Sequence, residues 1–278
     1  MAVALPREPL LPPRHQRARG EGRISAAPRD GRTRLRTLYQ EGCAKIRLPN
    51  AHGRAIEAVM INTAGGLCGG DAVQWGVEAD AGASMVLTTQ ACERVYRSTG
   101  PVATLGTRIS VGADAHVDWL PQETILFEDA RLDRSLEIDL APGASVCALE
   151  AVLLGREAMG EGARNAHLRD RWRIRREGRL VHAESTLLSA DALERDGLSL
   201  LDGAIAFATL VYIGPGADRR LEPVRAALPA GARAAASLIG EKLVLRALAP
   251  SGLALRRIIA PTVAIMSGAG SLPRLWHL

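Results

Sequence analysis

The sequence predicts a mainly β protein: a stacked, solenoid-like or superhelical arrangement of strands with about two α-helices. Two observations carry that expectation. A short motif echoes along the chain as Ala81-Gly82-Ala83-Ser84, Val111-Gly112-Ala113-Asp114 and Pro142-Gly143-Ala144-Ser145, its glycines 30 and 31 residues apart. Each copy is preceded by an alternating run (Val73 to Val77, Thr107 to Val111, Leu136 to Leu140) and followed by a short apolar run (Met85 to Leu87, His116 to Leu120, Val146 to Leu149). Each unit therefore reads as a strand, a tight turn and a second strand, and even spacing of such units points to stacking. Pro215-Gly216-Ala217-Asp218 is a candidate fourth copy.

Taken in order, residues 1–30 carry Pro6, Pro9, Pro12, Pro13 and Pro28 among arginines. Proline lacks an amide hydrogen, so this stretch is expected to be an irregular, disordered Arg/Pro-rich arm, with a single β domain over 31–278. Strand-like alternation begins at Thr33 to Tyr39. Arg169, Arg171, Arg173 and Arg175 share one face of a strand whose other face carries Leu168, Asp170, Trp172 and Ile174. Glu177-Gly178 turns that strand into Leu180 to Leu188 as a hairpin with one wet face. Leu221, Val224 and Leu228 keep a helical stripe that requires Pro223 to lie in the first turn. Ser251 is a good N-cap for a second helix presenting Leu255, Ile258, Ile259, Thr262, Val263 and Met266. Pro261 is expected to kink that helix or move its boundary, and Arg256 and Arg257 give it a basic edge that is a candidate partner surface.

Composition narrows the function classes. With 47% apolar residues and only 3% aromatic, the chain is globular with a Leu, Val, Ile and Ala core. Of the net charge of +5, more than all sits in residues 1–36, where nine arginines face Glu8, Glu21 and Asp30. A basic tail on a near-neutral body does not provide the basic face that nucleic-acid binding asks of a fold. Cys43, Cys68, Cys92 and Cys147 show no CxxC spacing, which fits reduced thiols in a cytoplasmic protein. The first residues lack a secretory apolar core, and no run of about 18 apolar residues suits a membrane span.

The chemistry-bearing stretch is Asn62-Thr63-Ala64-Gly65-Gly66-Leu67-Cys68-Gly69-Gly70-Asp71. It is no phosphate loop: no lysine follows Gly70, and the Asp71 carboxylate would repel phosphate. No GxSxG and no HExxH occurs, so neither a nucleophile elbow nor a catalytic zinc motif is present. The second strand of each unit ends on polar groups: Gln90, Gln122 with Glu123, and Glu150. These either line a hydrated internal passage or face solvent. Further acidic groups are Glu128, Glu157 and Glu161. Oxygen donors hold a divalent transition metal less tightly than imidazole or thiolate, so a carboxylate-lined route suits passing a metal on rather than trapping it.

The loop is followed by Leu87-Thr88-Thr89-Gln90, Val95-Tyr96-Arg97-Ser98, Trp119 to Glu128 and Leu154-Gly155-Arg156-Glu157-Ala158-Met159-Gly160-Glu161. This series, in this order, resembles the urease accessory protein D family (also called H), from about Gly31 to the C-terminus. The resemblance implies a mainly β protein with no activity of its own. It implies a scaffold that binds accessory protein F directly, the GTPase accessory protein G through it, and apo-urease, with a dimer possible within the complex. It also implies no tightly bound cofactor, no nucleic acid or membrane partner, and nickel in transit along an internal tunnel. The matching positions include Asn62, Gly65, Gly66, Gly69, Gly70, Asp71, Gln90, Tyr96, Arg97, Gln122, Glu123, Glu128, Gly155, Arg156, Glu157 and Glu161. Two departures stand out: Glu93 where the family commonly has lysine, and Cys68 where an apolar residue is usual. The candidate nickel path is Asp71, Glu123, Glu128, Glu150 and Glu161, with Cys68 as a soft donor. Two other readings stay open: an acid/base enzyme using Asp71 with Glu123 or Glu128, and a nucleic-acid binder acting through the basic arm.

Overall fold

The turn motif forms the corners of a coil. In the computed structural model, which describes residues 16–49, 53–156, 159–189, 196–198 and 200–277, strand β5 (Ala72–Ala79) turns at Gly82 into β6 (Ser84–Thr89). In the same way β8 (Ala103–Val111) turns into β9 (His116–Leu120), and β11 (Arg131–Leu140) into β12 (Ser145–Leu154). First strands stack in parallel in one sheet and second strands in parallel in the other, a solenoid-like stack of about four turns.

The first sheet, sheet A, is extended by β1 (Arg19–Arg29), the edge strand β2 (Arg32–Gly42), β13 (His167–Arg176) and β14 (Arg179–Leu188), in the order β14-β13-β11-β8-β5-β1-β2. Its register is strict. Ile24, Val77, Ile109, Ile138 and Ile174 stand side by side across five strands, all buried. One level along run Trp75, Thr107, Leu136 and Trp172, and one further run Val73, Leu105, Arg134 and Asp170. β-Branched and aromatic side chains in such rows fill a pleated face well, and cross-strand neighbours are the unit of sheet stabilisation.

The second sheet, sheet B, starts from β3 (Ala44–Arg47) and β4 (Ile56–Asn62), passes through β6, β9 and β12, and continues antiparallel through β15 (Ala206–Ile213), β17 (Lys242–Ala249) and β16 (Arg233–Ile239). The short strands β7 (Glu93–Val95) and β10 (Thr124–Leu126) attach beside β12. Alternation along β12 sends Val146, Ala148, Val152 and Leu154 toward sheet A. Cys147, Leu149 and Ala151 point the other way, into a second core under helices α1 (Ala217–Ala226) and α2 (Gly252–Met266).

Several expectations are met and several corrected. The hairpin turns at Glu177 (φ 49) and Gly178 (φ 77), the paired positive φ of a two-residue hairpin loop. In α2, Ser251 Oγ accepts from Ala254 N at 3.1 Å, and the six expected apolar-face residues are buried. The arm extending to residue 30 is corrected: residues 1–15 lie outside the described residues, but Arg19–Arg29 is β1, because Ile24 and Ala26 complete the inward rows. Pro28 stays opposite Thr33 of β2, but Thr33 N donates to Arg54 O instead of to β1, and on the other side pairing with β5 ends at Ala26, so neither ladder requires the missing amide hydrogen. The candidate fourth copy is not a corner between strands. Gly216 (φ 75) instead sits at the start of α1, which begins early enough to place Pro223 past the first turn and to leave Leu228 beyond its end. α2 runs through Pro261, and Thr262 Oγ1 donates to Ile258 O and Ile259 O in the turn the proline disturbs.

The stacking makes one corner intolerant of side chains. A Cβ on Gly112 would stand 2.7 Å from Ala81 N and 2.9 Å from Ala79 O of the preceding coil. Gly112→Val should therefore cost about 1–3 kcal/mol, the range of overpacked sites, read as a lower urea midpoint. Gly53→Ala, at an ordinary φ and with nothing nearer its Cβ than Ala55 N at 4.0 Å, should cost less.

Candidate functional site

The glycine-rich loop leaves β4 and folds against β7, with Leu67 N donating to Arg94 O (2.7 Å) and Tyr96 N to Leu67 O (2.8 Å). This close approach explains its composition. A Cβ on Gly66 would lie 2.6 Å from Arg94 O, and one on Gly69 would lie 2.4 Å from Pro101 O. Asn62 ties the loop internally, its Oδ1 accepting from Ala64 N and its Nδ2 donating to Gly66 O and to Glu93 Oε1 (3.0 Å). Asp71 is buried with both oxygens engaged: Oδ1 accepts from Ala18 N at 2.8 Å and Oδ2 from Cys68 N at 2.7 Å. It staples the start of β1 to the loop. Cys68 and Asp71 line a separate surface hollow beside Tyr96 and Arg97.

The other motif residues assemble around neighbouring loops. Tyr96 meets Phe127 edge-on at 5.1 Å, and the Arg156 guanidinium lies 4.5 Å from the Phe127 ring centre while pairing with Glu161. Glu128 accepts from Arg164 N and Asn165 N, and its own amide donates to Glu161. Arg97 pairs with Asp129 at 3.1 Å. A Cβ on Gly155 would strike Glu161 O, so the Arg156 turn requires glycine there. Glu157 lies outside the described residues. On the helical side, Arg256 donates to Glu123 (3.1 and 2.9 Å) and to Gln122 Oε1, and stacks 4.8 Å from the Trp276 ring centre. Arg256 thus clamps α2 to the end of β9 instead of presenting a free basic edge, whereas Arg257 is exposed.

A cavity of about 270 Å³ opens between the sheets beside the glycine-rich loop. Its lining includes Asn62, Gln90, Cys92 and Glu93 from the loops, together with Trp119, Thr124 and the buried Glu150. Six waters occupy roughly 180 Å³ in the liquid, so a hydrated divalent ion fits. Glu150 lies mid-strand in β12, facing sheet A, and not at a strand end: its Oε1 accepts from Trp119 Nε1 at 3.0 Å and its Oε2 from Arg134. Arg134 also donates to Thr124 Oγ1 (2.9 Å) and Asp170 Oδ2 (2.6 Å).

Burial sets the protonation chemistry here. It pushes the Glu93 carboxyl up to about 7, against the opposing hydrogen bond from Asn62. The Cys92 thiol is pushed up to about 11 by burial and by the Glu123 carboxylate that accepts its hydrogen. Burial also raises Glu150, with Arg134 opposing. For Arg134 itself burial disfavours the charge, but Asp170 and Glu150 outweigh it and hold the guanidinium protonated.

The predicted site residues therefore fall into four places: Asp71 and Cys68 in the loop staple, Glu128 and Glu161 in the Arg156 turn, Glu123 under α2, and Glu150 in the cavity lining. Asp71, Glu123 and Glu128, offered as an acid/base pair, share no hydrogen bond among the described residues, and none lines the cavity. Among the described residues no group of three His, Cys, Asp or Glu side chains is positioned to hold a metal ion. Sequence reasoning missed Arg134, Asp170 and Trp119 as parts of this site. Strand parity was the available signal, since Arg134 sits between Leu132 and Leu136, and Asp170 between Leu168 and Trp172, on faces otherwise apolar.

The family model described as UreD urease accessory protein matches residues 18–277. Relatives named urease accessory protein UreD include one from Chelativorans sp. (strain BNC1), 62% identical over 98% of this chain and 98% of its own length. Those from Rhizobium etli and Agrobacterium fabrum are 51% and 49% identical, covering 95% and 96% of this chain and 97% and 94% of their own lengths. No helix among the described residues is long and apolar enough to cross a membrane.

Glu93 gives the site a pH signature. The folded protein keeps a proton that the unfolded chain releases above 4.5, so stability should fall as pH rises from 4.5 through about 7 and then level. Glu93→Gln should flatten that decline and be the more stable form at pH 8, as measured by urea midpoints across the range.

Proposed function

The chain belongs to the UreD urease accessory protein family, and from that premise we propose that it is a urease maturation factor that passes nickel into apo-urease. In this reading the protein is a non-enzymatic scaffold. It binds accessory protein F directly, holds the GTPase accessory protein G through it, and leaves nucleotide hydrolysis to that GTPase. Nickel is cargo and travels between the two sheets.

The observation that carries this reading is the polar cavity with a buried carboxylate in its lining. Most of the inter-sheet space is filled by apolar rows, and a buried carboxyl group there is costly unless it is paired or has work, as Glu150 is paired with Trp119 and Arg134. Glu93 and Glu150 offer oxygen atoms, which hold Ni²⁺ weakly enough for onward transfer. Cys92 adds a thiol that its raised protonation range keeps neutral near pH 7, so it does not act as a tight thiolate trap. Asp71, Glu128 and Glu161 serve this route indirectly, by fixing the loops around its mouth.

The test uses the complete urease gene set, with urease nickel content and recovery of the accessory complex measured together. Glu150→Gln should lower nickel per urease site on the order of tenfold, equivalent to about 1.4 kcal/mol on one step, with the complex still recovered. Asp71→Ala should instead lower the stability of the accessory protein by about 1–2 kcal/mol, because two partly buried amides lose their acceptor. Normal nickel loading in both Glu150→Gln and Glu93→Gln would sink the route.

A further inference from the structure

Beside the cavity, Arg134 spans the space between the sheets. It is 2% exposed, and the two carboxylates it bridges, Asp170 and Glu150, are 5% and 8% exposed. The three are brought together by register and facing: Arg134 and Asp170 are neighbours in sheet A, and Glu150 reaches them from sheet B. Thr124 completes the ring with its hydroxyl.

The cluster is not a one-to-one ion pair: two carboxyl groups confront a single guanidinium. The hydrogen bonding is also incomplete, since Asp170 Oδ1 and Arg134 Nε are buried without a partner among the described residues. Buried polar atoms are normally satisfied, and an orphaned carboxylate oxygen marks a place prepared for something else. Trp119 Nε1 and Trp172 Nε1 donate to Glu150 Oε1 and Asp170 Oδ2, so both carboxylates are held in position independently of the arginine. Arg134, by contrast, is held only through its two Nη groups. A site with two fixed carboxylates, a hydroxyl and one unused oxygen matches a divalent cation in both charge and donor type.

We propose that Arg134 is a displaceable plug, its guanidinium occupying the seat between Glu150 and Asp170 that a divalent cation takes when it moves inward from the cavity. This rests on the transfer reading above and supplies the barrier that reading lacks. With Arg134 in place, a cation in the cavity meets a carboxylate already neutralised from behind. When the cation takes Glu150, the guanidinium must swing off it, and the second carboxylate becomes the next holding point. Passage is thereby made conditional on an exchange of one cation for another, and the resting protein keeps a buried carboxylate pair without an open channel.

The test is Ni²⁺ binding by the full-length purified chain, followed by calorimetry or equilibrium dialysis at pH 7.5. Arg134→Met keeps an unbranched apolar stem and removes the charge. It should gain one Ni²⁺ site at least about tenfold tighter than any in the wild type, and Arg134→Met with Asp170→Asn should lose that site again. A folded Arg134→Met protein with the wild-type isotherm, or a gained site that survives Asp170→Asn, would overturn the plug. Arg134→Gln, which keeps a donor for Thr124, is read the same way if the Met variant does not fold. In the wild type, excess paramagnetic Ni²⁺ should broaden the Arg134 Nε resonance, and should not do so in Glu150→Gln; an unbroadened wild-type resonance also counts against the exchange. Loss of urease nickel in Glu150→Gln without a gained site in Arg134→Met would remove the plug and leave the route standing. The gained site with normal urease nickel would support the seat and remove the route.

Discussion

The row of Ile24, Val77, Ile109, Ile138 and Ile174 is the interaction on which the rest depends. Each residue comes from a different coil, and each occupies the same level of the stack. Parallel pairing at a fixed register lets aliphatic side chains touch along the whole row and removes their surface from water. The glycine corners make that register possible, since Gly112 lies against the backbone of the preceding coil with no room for a side chain. Once the coils are locked at this level, the rows above and below are aligned too. A single polar residue in any coil is then placed at a definite height and beside definite neighbours.

That geometry explains how Arg134 and Asp170 come to be neighbours inside the stack. Trp75, Thr107, Leu136 and Trp172 form the row next to the aliphatic one, and Arg134 and Asp170 fall one level beyond it. Isolated charges at that depth would be prohibitive, and a paired but imperfectly satisfied cluster is not favoured over well-packed apolar residues on stability grounds alone. Its hydrogen bonds to Glu150 and Thr124 tie it to the cavity lining beside the glycine-rich loop. The outer loops have a different task. The Asp71 staple, the Phe127 stack between Tyr96 and Arg156, and the Arg256 clamp keep the N-terminal strand, the motif loops and α2 in place around the cavity mouth.

Much of the fold was legible from local pattern. The echoing turns marked the three corners between the sheets, the alternation in 168–176 separated an arginine face from a core face, and Ser251 marked the start of α2. Local pattern misled where a neighbour supplied the stabilisation. The arginine and proline content of the N-terminal region suggested an irregular arm, yet β1 forms because β5 and β2 pair with it. Pro261 suggested a kink or a shifted boundary, yet α2 runs through it because its apolar face is held against sheet B. The acidic residues of the motifs invited a single lining, but Asp71 and Glu128 point at backbone amides, which a sequence does not display as partners.

What the sequence by itself determined is which side chains point inward: period-two alternation is local, and it already set Asp170 on the apolar face with Trp172 and Ile174. What only the tertiary structure decided is which inward groups meet. Arg134 finds Glu150 sixteen residues away across the gap between sheets, and Asp170 thirty-six residues away along the stack. Those encounters depend on the register between coils and on the distance between sheets. Both are collective outcomes of packing many rows at once, so no single stretch of chain contains them.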